Sequence, residues 1–166
     1  MIHEDGWVKV EGFPKYSVNP LGQVRKDSNQ RPIRPRVNKE GVAYVGFMKG
    51  ARQHIRSLPR LVALTFLSPP NAIFDTPINL DGDRTNCRTD NLMWRPRWYA
   101  VRYVNQFDDP YENPIDLPIR AVETGETFPN SLAAACRYGL LEYEVVQSIM
   151  NQTLTWPTLQ RFELVE

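Results

Sequence analysis

Residues 76–94 hold the densest run of groups able to do chemistry: Asn79, the Asp81-Gly82-Asp83 triplet, Asn86, Cys87 and Asn91. Hydrolysis at such a place needs a general base, and an amide does not ionise near neutral pH, so Asn79 cannot take a proton from water. Asp81 and Asp83 offer oxygens that suit a divalent cation, but Asp-Gly-Asp is also an ordinary tight turn. The two histidines are His3 and His54. His54 falls on an expected strand, where a surface or packing role is the simpler reading. Cys87 and Cys136 are too few for a disulfide framework or a thiolate zinc site, and both are expected to be buried as small apolar residues.

Arginine carries the other chemistry. Arg84, Arg88, Arg95, Arg97 and Arg102 interleave with Trp98, Tyr99 and Tyr103. That alternation suits a nucleic-acid face, or packs guanidinium stems on rings over a core. Arg25 is followed by a second basic run, Arg31, Arg34, Arg36 and Lys39, broken by Pro32 and Pro35. A segment so rich in proline cannot be a central strand. It is either an extended arm that sets its guanidinium groups along one path or a solvated loop.

Short elements must position these groups. Residues 7–25 alternate apolar and polar side chains, with Tyr16 and Val18 pointing one way and a turn at 19–22 before a strand at 23–26. Another strand is expected at 43–48. Residues 60–67 have helical spacing, with Leu61, Leu64 and Phe66 inward and Pro59 tolerated in the first turn. Two short strands are placed around the Asp81-Gly82 turn, then a helix over 89–92 running into Trp94. Residues 108–118 form an acidic, Pro-rich linker. Beyond it come a hairpin around Thr124-Gly125, a helix capped by Asn130 or Ser131 and ending at Gly139, and a second helix over 142–151.

The net charge of +1 hides an imbalance: residues 1–106 carry 17 Lys/Arg against 9 Asp/Glu, and residues 107–166 carry 3 against 10. A basic front suits a phosphate backbone and an acidic back repels one, so the halves are expected to face different partners. The apolar share of 42% and charged share of 23% are those of a folded chain. No apolar run approaches a membrane span, and no signal peptide opens the chain.

The run 76–94 resembles the core of the HNH homing endonucleases of phages and mobile introns, with Asp81, Gly82, Asn86, Asn91, Leu92 and Trp94 on the family pattern. Residues 7–25 are similar to the small DNA-contacting module that precedes that core, at Trp7, Gly12, Phe13, Tyr16, Val18, Asn19, Gly22, Val24 and Arg25. Arg60, Leu61, Val62, Ala63 and Phe66 look like the family's helix beneath the active site, with Pro59 where a His is usual. Thr124, Gly125, Glu126, Phe128, Ser131, Ala134, Ala135 and Gly139 resemble its terminal helix-turn-helix repeat.

The resemblance implies an α+β fold: a small N-terminal antiparallel β module (1–50), a ββα-metal core (51–106), a linker (107–118) and a C-terminal β-hairpin plus helix-turn-helix (119–166). It also implies what is lost. Asn79 stands where the family has its catalytic His, and Ile78 and Ala100 where it has metal ligands, so no catalytic residue, metal or cofactor is assigned. Asp81, Gly82, Asn91 and Trp94 remain as scaffold.

The function expected is non-catalytic binding of double-stranded DNA through Arg25, Arg31, Arg34, Arg36, Lys39, Arg84, Arg88, Arg95, Arg97 and Arg102. Residues 119–166 would meet a protein, since the second helix of that module offers Gln147 and Asn151 but no Lys or Arg. No membrane partner is expected. One alternative is a repurposed structural or interaction component of a virion or nucleoprotein assembly; another is a weakly nicking nuclease. The expected setting is the cytoplasm of an infected bacterium, or the virion.

Overall fold

Asn19 sets the first turn. Its side-chain oxygen accepts from the backbone N–H groups of Leu21 (3.1 Å) and Gln23 (2.9 Å), while Gly22 takes a φ of +76° that L side chains rarely adopt. This turn joins the second and third strands of a four-stranded antiparallel sheet, β1 (Val8–Val10), β2 (Phe13–Val18), β3 (Val24–Lys26) and β4 (Arg31–Ile33), paired in chain order. The structure is a computed structural model and describes residues 6–165; His3 lies outside the described residues.

A three-stranded antiparallel sheet follows: β5 (Arg36–Val37), β6 (Ala43–Lys49) and β7 (Arg52–Ser57), with β6 central. On β6, Ala43, Val45 and Phe47 are buried while the residues between them are not, the period-2 pattern of a half-buried strand. The Pro-rich arginine run therefore divides between two edge strands, β4 carrying Pro32 and β5 following Pro35. At an edge, proline's missing N–H breaks no ladder.

Helix α1 (Leu58–Phe66) starts earlier than the sequence suggests and buries Leu58, Pro59, Val62 and Ala63. Leu64 corrects an expectation: it is 61% exposed. With Val62 facing the core, Leu64 lies about 200° round the helix from it.

The next elements need a second correction. Strand β8 (Thr76–Asn79) pairs antiparallel with β9 (Leu92–Arg95), in register from Thr76 opposite Arg95 to Asn79 opposite Leu92. The loop 80–91 lies between them, so the hairpin does not turn at Gly82. In place of a helix reaching Trp94 there is one 3-10 turn at Thr89–Asn91, and then strand. Leu92 and Trp94 are both buried at alternate positions, which a strand satisfies and a helix does not. The helix of this strand–strand–helix order is α2 (Arg97–Asp108).

Three strands, β10 (Ile119–Ala121), β11 (Thr127–Phe128) and β12 (Phe162–Leu164), form an antiparallel sheet with β10 central. Between β11 and β12 run α3 (Ser131–Tyr138) and α4 (Glu142–Asn151). The Asn130 side chain caps α3 by accepting from the Ala133 N–H, and Gly139 ends it in the left-handed conformation. The chain divides into two compact units, Met1–Arg97 and Trp98–Glu166. In the first, both sheets, α1 and the β8–β9 hairpin share one apolar core from Val10 to Trp94. In the second, Ile119, Phe128, Ala134, Leu140, Val145 and Phe162 form the core.

Candidate nucleic-acid interface

The loop 80–91 is closed on itself. Asp81 Oδ1 accepts from Asn91 Nδ2 at 2.9 Å and from the Asp83 N–H at 2.9 Å, and its other oxygen accepts from Asn86 Nδ2 at 2.6 Å. Asn91 Oδ1 accepts in return from the Asp81 N–H at 3.1 Å. The Asn86 carbonyl takes two amide donors, Asn79 Nδ2 and Asn91 Nδ2, both at 2.9 Å. Asp83 is held the same way: the Thr85 hydroxyl and N–H donate to it, and these bonds lower its pKa. Both aspartates brace the loop, Asp81 through both carboxylate oxygens and Asp83 through Oδ1, and both are exposed.

Asn79 spends its amide on a backbone carbonyl. Ile78 is 1% exposed and offers only methyl and methylene groups, and Ala100 on α2 is buried without a donor atom. The divalent metal implied by the resemblance does not fit these residues, because hard cations need oxygen ligands. Among the described residues, no three of His, Cys, Asp and Glu converge. Burial first, and then the carboxylates of Asp83 and Asp81, push the Cys87 thiol up to about 12, so it stays protonated and unreactive. His54 is half-buried with its ring 5.4 Å from that of Phe13.

The basic residues named from the sequence differ in setting. Arg31, Arg34, Arg36, Lys39, Arg97 and Arg102 are exposed. Arg34 and Arg36 line a surface groove of about 470 Å³ with Ile33, Tyr44, Gln53 and Ile55. On its other side Arg34 lines a second groove of about 420 Å³ with Trp7, Arg25 and Pro32. Arg25 lies 4.1 Å over the Trp7 ring, fixed between that ring and Asp27.

Arg84 and Arg88 are partly committed within the fold: Arg84 donates to the Glu40 carbonyl at 2.8 Å, and Arg88 pairs with Asp90 at 3.1 Å. Arg95 is 4% exposed and donates to the Trp94 carbonyl. A guanidinium so buried is a structural group, and we do not keep it among the phosphate contacts.

Sequence reasoning passed over a further basic cluster. On β7, Arg52, His54 and Arg56 share one face at a spacing of two. Arg56 lies 5.3 Å and Lys49 6.0 Å from the Phe13 ring. The alternation Arg52, His54, Arg56 was the signal available.

In the second unit, the basic-aromatic stretch resolves into two sides. Tyr99 and Tyr103 are fully buried, whereas Trp98 is exposed. The three arginines beyond α2 are each ion-paired, Arg120 to Glu163, Arg137 to Glu126 and Arg161 to Glu123. Asp108, Asp109, Glu112 and Asp116 are exposed. On α4, Glu142 is buried and accepts from Ser131, and Glu144 accepts from the Tyr99 hydroxyl. No helix among the described residues is long and apolar enough to cross a membrane.

No protein-family model and no curated protein matches the sequence. A solved structure does match in shape, that of the HNH homing endonuclease I-HmuI, described for DNA binding and cleavage. The likeness covers 96% of this chain and 97% of that one, with a TM-score of 0.53 and 20% sequence identity. At that identity the comparison speaks for architecture: the chain has the α+β fold of an HNH endonuclease.

Proposed function

We propose that the protein is a non-catalytic binder of double-stranded DNA built on the scaffold of a phage HNH homing endonuclease. The observation that carries this reading is the loop 80–91. Asn79, at the end of β8, donates its amide N–H to the Asn86 carbonyl and both aspartates brace the loop, where a nuclease would aim a base and a cation at a phosphate. The exposed cations support the binding half. Arg34 and Arg36 border open grooves beside Arg25, with Arg31 and Lys39 on the same run, and Arg97 and Arg102 stand exposed on α2. Arg84 and Arg88 keep part of their guanidinium groups in water and belong to the same set.

The acidic unit is read as facing a protein, in the infected cell or within the virion. With its three terminal arginines neutralised by neighbours, the surplus charge sits in the segment that holds Asp108, Asp109, Glu112 and Asp116. Phosphate would be repelled there and a basic protein surface attracted. This same observation favours a second reading, in which the chain is a structural component of a nucleoprotein assembly and its partner is protein alone.

The test is binding of the purified chain to a pool of random duplex DNA across a salt series, with Mn²⁺ present and the products run on a denaturing gel. Salt-sensitive binding with intact strands is expected. Nicked strands would overturn the non-catalytic part, and no binding at low salt would leave the second reading in place.

A further inference from the structure

Helix α2 has two unlike sides. Tyr99, Ala100 and Tyr103 are buried, while Trp98, Val101, Arg102 and Asn105, spaced i, i+3, i+4 and i+7, form an exposed stripe. Trp98 is 56% exposed, high for so large an apolar ring. It is nonetheless fixed. Its ring stacks on that of Trp156, with centroids 5.4 Å apart and planes 19° from parallel, and Tyr99 meets it edge-on at 5.5 Å. Trp156, itself 40% exposed, is buttressed by Tyr99 at 5.6 Å. The indole of Trp98 is therefore an ordered flat surface turned to solvent.

Two cations flank this ring in sequence, of which Arg102 shares a surface groove with Asp109 and Glu142. Arg102 is one helical turn on and exposed, and Arg97 precedes it, also exposed. The carboxylate of α2 is Asp108 at the far end, about 15 Å along the axis at 1.5 Å per residue. Glu144 comes near from α4, but it is engaged by the Tyr99 hydroxyl.

Resting on the DNA-binding reading above, we propose that Trp98, backed by Trp156, is a stacking platform for a nucleobase of the bound DNA, with Arg102 on a neighbouring phosphate. An aromatic face accepts any base, because every base has a π-face. A base inside an intact duplex is covered by its neighbours, so the platform favours a step that is unpaired, gapped or unstacked. The adjacent guanidinium groups supply the attraction to the backbone that a platform for an apolar protein segment would not need.

The test uses the full chain with three labelled probes of one sequence: a paired duplex, the same duplex with a one-nucleotide gap, and the single strand. The gapped duplex is expected to bind more tightly than the paired one. Trp98→Ala should weaken binding to the gapped probe by roughly five- to hundredfold, the range of a lost base–aromatic stack, and weaken the paired duplex less. Trp98→Phe should recover part of the loss, which separates stacking from damage to the fold. Equal binding of all three probes by wild type and Trp98→Ala would overturn the platform alone. If the wild-type chain binds none of them, the DNA-binding reading falls and takes this inference with it.

Discussion

At the scale of single residues, the loop 80–91 is held by its own side chains. Asn91 braces Asp81 and the Asn86 carbonyl, so its side chain is needed whether or not anything is hydrolysed. That Asn79 cannot act as a base is readable from its type alone, because an amide does not ionise near neutral pH. That Asp81 and Asp83 both brace the loop was not readable, since their partners lie up to ten residues away. Cys87 gives a direct check on how closed this loop is. Its thiol is raised from an ordinary 9.0 to about 12 by burial and then by Asp83 and Asp81. A thiol held protonated by the fold contributes stability in full below pH 9.0, and that contribution is lost as pH rises towards 12. Urea unfolding of wild type against Cys87→Ala should therefore show a constant offset from pH 7 to 9. Above pH 9 wild type should lose ground steadily to the variant. An offset that stays flat to pH 11 would mean that the thiol is open to water.

At the scale of elements, the turns were legible and one hairpin was not. Asn19 to Gly22, Asn130 and Gly139 each stop or start an element through a local bond or a local dihedral, which sequence carries directly. Strand β9 was hidden because family likeness suggested a helix at residue 89, while the alternation of Leu92 and Trp94 is too short to stand alone. Trp156 lies far from Trp98 in sequence, and nothing in either neighbourhood announces their stacking. The β2–β3 turn also docks on the loop 80–91. A Cβ on Gly22 would lie 2.7 Å from the Cys87 carbonyl oxygen, and Thr89 donates its N–H to the Pro20 carbonyl. Gly41 has a similar φ of +80° but nothing within 4 Å of an added Cβ. Gly41→Ala should thus cost about 1 kcal/mol from backbone strain alone, and Gly22→Ala clearly more. Equal shifts in unfolding midpoint would show that the turn and the loop are not in contact.

At the scale of the whole molecule, the charge imbalance was plain in the sequence, and the structure says where the acidic excess lies. Arg120, Arg137 and Arg161 are neutralised by Glu163, Glu126 and Glu123, which leaves the segment after α2 as the exposed acidic surface. The joining of the first two sheets to the later hairpin in one core was not legible. Thr89 donates its N–H to the Pro20 carbonyl and Arg84 reaches the Glu40 carbonyl, so apolar and polar contacts alike tie residues 8–57 to residues 58–95. A fragment of residues 1–97 should fold cooperatively by circular dichroism and denaturant titration, while residues 1–50 alone should not. A cooperative transition in the shorter fragment would refute a shared core.

The docking of the Pro20–Gly22 turn on Thr89 and Cys87 also bears on how the chain is made. Contacts that close so long a stretch are slow to form, because the entropy of bringing the ends together is lost before any burial repays it. On the ribosome, the first two sheets emerge well before the loop that completes their core. At about 5–20 residues per second, they wait several seconds with the Phe13 and Phe47 surface uncovered. The β2–β3 turn is thus a late lock on the first unit, and synthesis rather than equilibrium stability sets when it engages.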